Sequence, residues 1–196
     1  MDNTQHKETY ISQLERLKEI IETTNQRILS ESPDEFFQSN ANFFTKSFLV
    51  IMCAYVESYI KDALMVIIDE TNNKLVSSNL PHNLIKWSLN IEKELKDSEL
   101  KFESFKIPIK KKDLDDFISG NPYRTKDLFK KLGIELGKDE IFNSQAERIN
   151  AIVTKRNKVI HHNDEASDVS NNDLFENIKS LIEYITNIDK LICEAL

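Results

Sequence analysis

Residues 43–68 are apolar on nearly every side of a helical projection. A helix without a polar face has nowhere to meet water, so other helices must cover it on several sides. The stretch therefore predicts the central helix of an all-α bundle. Strands are disfavoured by the punctuation: three glycines and four prolines leave too few turn residues for a many-stranded sheet. Glu57 is the exception within Ala54-Tyr55-Val56-Glu57-Ser58-Tyr59. A carboxylate in such company either lies on the one wet edge of the helix or takes a cationic partner, for which a guanidinium is the natural choice.

The flanking segments supply the cover. In residues 4–29, Tyr10, Leu14, Leu17, Ile21 and Ile28 recur by threes and fours, with Thr24 in the one gap, and predict an amphipathic first helix. Ser32 as N-cap, Pro33 in the first turn and the acids Asp34 and Glu35 predict a second helix start, with a break around residues 39–42. Pro81 opens a third helix through Leu84, Ile85, Trp87, Leu89, Ile91 and Leu95, closed by Asp97-Ser98, and its lone tryptophan is expected in the core or an interface. Residues 100–124 read as an excursion covering the bundle, extended around Phe102, Phe105, Ile107 and Ile109 and with a short helix at 114–118. Its Lys110-Lys111-Lys112 run is either a solvated loop or an RNA contact. Thr125 caps a short helix to Leu132, ended by Gly133. Leu174, Ile178, Leu181, Ile185, Ile188 and Ile192 then mark a last helix that packs antiparallel to its neighbours. The expected architecture is an antiparallel bundle of four to five main helices with a short-helix and extended insertion at 100–135. A length of 196 residues fits a single domain, 1–196.

A net charge of −7 argues against a protein that coats DNA or lies on an anionic membrane, because nonspecific nucleic-acid affinity comes from neutralising phosphates. Any RNA site must be a local positive patch. The longest apolar run, 48–56, is far shorter than the ~20 residues of a membrane span, and no signal-peptide pattern precedes Tyr10. Cys53 and Cys193 have no paired spacing and read as buried thiols in a reducing, cytoplasmic setting.

One stretch brings an arginine, an amide and two histidines within two helical turns: Arg156-Asn157-Lys158-Val159-Ile160-His161-His162. The helix carrying it is expected to start at Ser144, since Ser144-Gln145-Ala146-Glu147 has the reciprocal S-x-x-E capping form. Ile149, Ile152 and Val153 form its buried stripe, which extends to Arg156. Asn157 and His161, four apart, lie one above the other. Arg156 and His161 are five apart, about 140° on an ideal helix, so they converge on one ligand only if the helix ends or tightens near Ile160. The downstream crowd of Asn163, Asp164, Ser167, Asp168, Ser170, Asn171 and Asn172 favours such an ending.

An arginine, a polar residue, three more residues and a histidine near a helix end, in a small all-helical chain, resembles the R-x(4-6)-H motif of HEPN domains. Gly120-Asn121-Pro122 and Leu128-Phe129-Lys130-Lys131-Leu132-Gly133-Ile134 also look like bacterial HEPN members fused to RNA ligase and phosphatase modules. The resemblance implies a metal-independent endoribonuclease of toxin or phage-defence type, active as a homodimer with two motifs facing one cleft. It implies His161 as the catalytic imidazole, Arg156 on the phosphate and Asn157 orienting them, with products ending in 2',3'-cyclic phosphate and 5'-OH. No cofactor is expected, and an antitoxin or other inhibitory protein is an expected partner. His162 meets the same motif with five intervening residues; the stacking of Asn157 on His161 places His161 first.

The chemistry is within reach of these side chains. RNA carries its own nucleophile, the 2'-hydroxyl beside each phosphate, so cleavage needs a base, a charge stabiliser and alignment. A histidine, ordinarily titrating near ~6.5, moves the protons, and a guanidinium holds two phosphorane oxygens. Lys155 and Lys158 flank the motif and either raise the local potential for RNA or are ordinary solvated lysines. No H-E-x-x-H, cysteine pair or Gly-rich phosphate loop points to a metal or nucleotide site. The alternative function is a noncatalytic helical interaction module for a protein or nucleotide partner, in which Arg156 pairs with Glu57, Asn157 caps a helix end and both histidines are surface residues.

Overall fold

Thr4 caps the first helix by accepting the Lys7 amide at 3.2 Å, and α1 (Gln5–Leu29) buries Leu14, Leu17, Ile21 and Thr24 along one face. The computed structural model describes residues 4–89, 100–162 and 165–196. Within them the chain forms seven α-helices and no strand, so the fold is all-α. α2 (Glu35–Ser39) is a short helix that stops at Asn40, and the long α3 (Ala41–Ser77) follows. α3 buries Leu49, Met52, Val56, Ile60, Leu64 and Ile67, and is packed on by α1, α6 (Glu140–His162) and α7 (Asn171–Ala195). Most of its apolar circumference is thus covered, with Phe43 at its head left 65% exposed.

Polar pairs between helices fix their directions. Tyr10 donates to Asp62 at 2.8 Å between α1 and α3, Arg156 to Glu57 between α6 and α3, and Asn187 to Asp139 at 2.8 Å between α7 and the start of α6. Asn171 and Asn25 join the far end of α1 to the start of α7. In chain order α1, α3, α6 and α7 alternate up and down, an antiparallel four-helix bundle in which α3 and α7 lie on the parallel diagonal. Asp189, only 1% exposed, accepts from the Thr4 amide at 3.0 Å, the Thr4 hydroxyl and the Tyr59 hydroxyl at 3.2 Å. A buried carboxylate so fully satisfied ties the head of α1 to α7.

Helix ends and loops depart from the sequence reading where tertiary partners compete. Asp34, not Ser32, caps α2, because its carboxylate reaches the Phe36 and Phe37 amides. α4 (His82–Ser88) is shorter than expected within the described residues, Ile91, Leu95, Asp97 and Ser98 lie outside them, and Trp87 is 73% exposed. The excursion turns in a 3₁₀ helix at Lys111–Leu114 rather than a helix at 114–118. Asn121 caps α5 (Pro122–Lys131) with Pro122 in the first turn, so Thr125 lies inside that helix; Gly133 follows at φ +84°. Asp139 takes the Phe142 amide at the head of α6, which leaves Ser144 in the second turn bonding back to the Ile141 carbonyl.

The excursion is stapled along α3. The Asn72 side chain both accepts from and donates to the backbone of Ile107, Asp62 pairs with Lys111, Lys61 pairs with Asp115, and Glu57 accepts the Gly120 amide. Excursion residues rise as α3 residues fall, so the strap runs antiparallel to α3 and delivers Gly120 beside α6. Lys111 is therefore an ion-pair partner, while Lys110 and Lys112 remain exposed.

Candidate active site

The buried stripe of α6, Ile149, Ile152 and Val153, ends at the covered edge where Arg156 leaves the helix. The Arg156 guanidinium donates from Nη2 to Glu57 Oε1, and the same oxygen accepts the Gly120 amide at 3.1 Å. The side chains of Arg156 and Glu57 are 14% and 30% exposed, so water screens the pair only partly. Arg156 Nε is buried with no hydrogen-bond partner among the described residues, so Nη2 carries the contact. Cys53 sits against this pair: burial pushes its thiol up to about 11, and the adjacent guanidinium offsets only part of that. Cys53 stays a protonated, inert thiol at neutral pH.

Gly120 makes a close approach to α3 and α6. A Cβ there would lie 3.1 Å from Val153 Cγ2 and 3.4 Å from Glu57 Oε1, so any larger residue would press on both side chains. Asn121 Nδ2 donates to Asn150 Oδ1 at 2.8 Å, adding a second fastening between strap and α6. The sequence left Glu57 open between a wet edge and a guanidinium partner; the structure pairs it with Arg156 and adds this clamp, which the sequence did not show. Its only signal was that one of three glycines in the chain falls in Gly120-Asn121-Pro122.

α6 does not end near Ile160 but continues as helix through His162. Arg156 and His161 of one chain therefore leave the helix about 140° apart around its axis. Asn157, His161 and His162 are exposed, as is Lys158. Asn157 and His161 keep their i, i+4 relation on one face, without a hydrogen bond between them among the described residues. Lys155 pairs with Asp168, so of the two flanking lysines only Lys158 is exposed. Lys46 and Asn42, at the head of α3, meet Glu165 just after the motif, Lys46 at 3.2 Å. Among the described residues no group of three or more His, Cys, Asp or Glu is arranged to hold a metal ion, and no helix is long and apolar enough to cross a membrane.

A family model, RiboL-PSP-HEPN, matches residues 11–194. The chain belongs to that family. The match runs from α1 to the last turn of α7, so bundle, strap and motif are all parts of the RiboL-PSP-HEPN unit. Comparison with curated proteins and with solved structures gives no significant match. In this chain Arg156 is largely covered and paired with Glu57, while His161 and His162 are exposed.

Proposed function

We propose that the protein is a metal-independent endoribonuclease that cleaves RNA by attack of the 2'-hydroxyl on the adjacent phosphate. The observation that supports this most is the anchored arginine: Glu57 and the Gly120 clamp fix Arg156 at the edge of the core, one and a half turns before two exposed histidines. A guanidinium has five N–H donors, and the Glu57 contact leaves others for the non-bridging oxygens of a phosphate. A pre-positioned cation costs little reorganisation when the phosphorane charge develops.

One chain holds its arginine and histidine on different sides of a continuous helix, so the reading includes a twofold homodimer in which two α6 ends face one cleft. There one His161 imidazole takes the 2'-OH proton as the 2'-oxygen bonds to phosphorus. The bond from phosphorus to the 5'-oxygen breaks, and the second copy's His161 imidazolium protonates that leaving oxygen. The products are a 2',3'-cyclic phosphate and a 5'-OH, with no water consumed. Asn157 orients His161, and Lys158 raises the local potential. The setting is a toxin or phage-defence system in the cytoplasm, with an antitoxin or other inhibitory protein restraining the activity.

The second reading is a noncatalytic interaction module, favoured by the fact that Arg156 already has an anionic partner in Glu57. Incubation of the purified protein with RNA in EDTA separates the two. Cleavage that persists in EDTA and stops at a scissile 2'-deoxy position is expected; cutting only with added Mg2+ or Mn2+, equal cutting of DNA, or no cutting at all overturns the proposal.

A further inference from the structure

α5 is a net-positive segment of this acidic chain. Its ten residues, Pro122–Lys131, carry Arg124, Lys126, Lys130 and Lys131 against the single acid Asp127, in a protein of net charge −7. Arg124, Leu128 and Lys131 are spaced i, i+4, i+7, so the two cations share one stripe of the helix. Neither Arg124 nor Lys131 forms an ion pair among the described residues. Beside that stripe Phe117 is 49% exposed, with the Lys131 ammonium 5.0 Å from its ring centroid, and Tyr123 is 46% exposed on the adjoining face. Phe117, Arg124, Asp127, Leu128 and Lys131 line a shallow cleft of about 170 Å³.

Two half-exposed rings beside two cations that have no carboxylate partner among the described residues form a mixed apolar and positive surface. They match what single-stranded nucleic acid offers: phosphates for the cations and flat, apolar base faces for the rings. We propose that this face of α5 is a binding track for single-stranded RNA, separate from the motif and feeding it. The proposal rests on the ribonuclease reading and locates where the substrate is held. The head of α5 is fixed to α6 by Asn121 on Asn150 and by Gly120 against Val153, and Val153 lies one turn before Arg156. These contacts fix the head of α5 to the helix that carries the motif. Because stacking and phosphate contacts read neither base identity nor the 2'-OH, the track tolerates sequence and accepts single-stranded DNA too.

The test uses fluorescence anisotropy with a labelled single-stranded oligouridylate and the full chain carrying His161→Ala, so that bound RNA stays intact. Phe117→Ala, Arg124→Ala and Lys131→Ala are added singly, with Lys179→Ala on α7 as a distant control. Each α5 variant is expected to raise Kd roughly tenfold or less, the charge variants each lowering the salt slope of log K by about 0.7, with the control unchanged. In the cleavage-competent chain the same variants raise KM and leave kcat within about twofold. Binding by the parent that none of the α5 variants alters overturns the track and leaves the ribonuclease reading standing. RNA cut by the wild-type chain with kcat, rather than KM, lost in the α5 variants also overturns it. Absence of both RNA binding and cleavage in the wild-type chain overturns the ribonuclease reading and the track with it.

Discussion

Removal of the Glu57 carboxylate tests the clamp at the centre of the site. Glu57→Ala deprives the Arg156 guanidinium of its anion and the Gly120 amide of its acceptor. Exposed ion pairs contribute about 0.2–1 kcal/mol, whereas breaking a fully buried one costs about 3–5 kcal/mol. With 14% and 30% of the two side chains exposed, this pair lies between those limits, so Glu57→Ala is expected to cost about 2–3 kcal/mol. For a chain of this length that lowers Tm by about 4–12 °C. Glu57→Gln keeps a carbonyl acceptor for Gly120 and Arg156 while removing the charge, and is expected to cost about 1–2 kcal/mol. Urea or thermal unfolding of Glu57→Ala, Arg156→Ala and the double variant gives the coupling directly, expected at about 1–2 kcal/mol. A loss below about 0.5 kcal/mol for Glu57→Ala, or strict additivity in the cycle, would refute the clamp as a determinant of Arg156 geometry.

Arg156→Ala and His161→Ala are expected to lower the rate of RNA cleavage by about 10²–10⁴ with helical circular dichroism unchanged, while His162→Ala keeps measurable turnover; a dead His162→Ala with a normal His161→Ala would reverse the histidine assignment. Light scattering is expected to give twice the 22.8 kDa chain mass at micromolar concentration, and a monomer mass throughout would remove the two-motif cleft. Asp139 is held below the usual carboxylate range by its hydrogen bond from Asn187 and then by the Phe142 amide. A carboxyl depressed in the folded state stabilises fully above its unfolded pKa of ~3.9 and loses that contribution as pH falls through the lower folded value. Asp139→Ala is therefore expected to cost about 1–2 kcal/mol at neutral pH, and its difference from wild type in urea unfolding shrinks below pH ~4; an undiminished difference there counts against the cap.

Local periodicity carried most of the fold. The unbroken apolar stretch at 43–68 and the threes and fours of Leu174 to Ile192 require helices buried on one or several sides, and the bundle follows because the rest of the chain offers helices rather than strands to cover them. The residue types were equally local: an arginine at the end of a buried stripe and a lone glutamate in an apolar helix were both visible, with their pairing one of two alternatives. What the sequence lacked was competition between alternatives that are locally equivalent. Ser144 and Asp139 both offer a cap, and Asp139 takes it because Asn187 on α7 also binds its carboxylate and Phe142 packs on Tyr184 with ring centroids 5.6 Å apart. The polar segment after the motif favours a helix stop near Ile160, yet α6 continues through His162. Glu57 and Arg156 meet across 99 residues because α3 and α6 run antiparallel in register, and Gly120 joins them because the strap along α3 ends at that level. Those distances belong to the packing of whole helices, whose energy comes from buried area shared among many residues and leaves no mark on any short stretch of sequence.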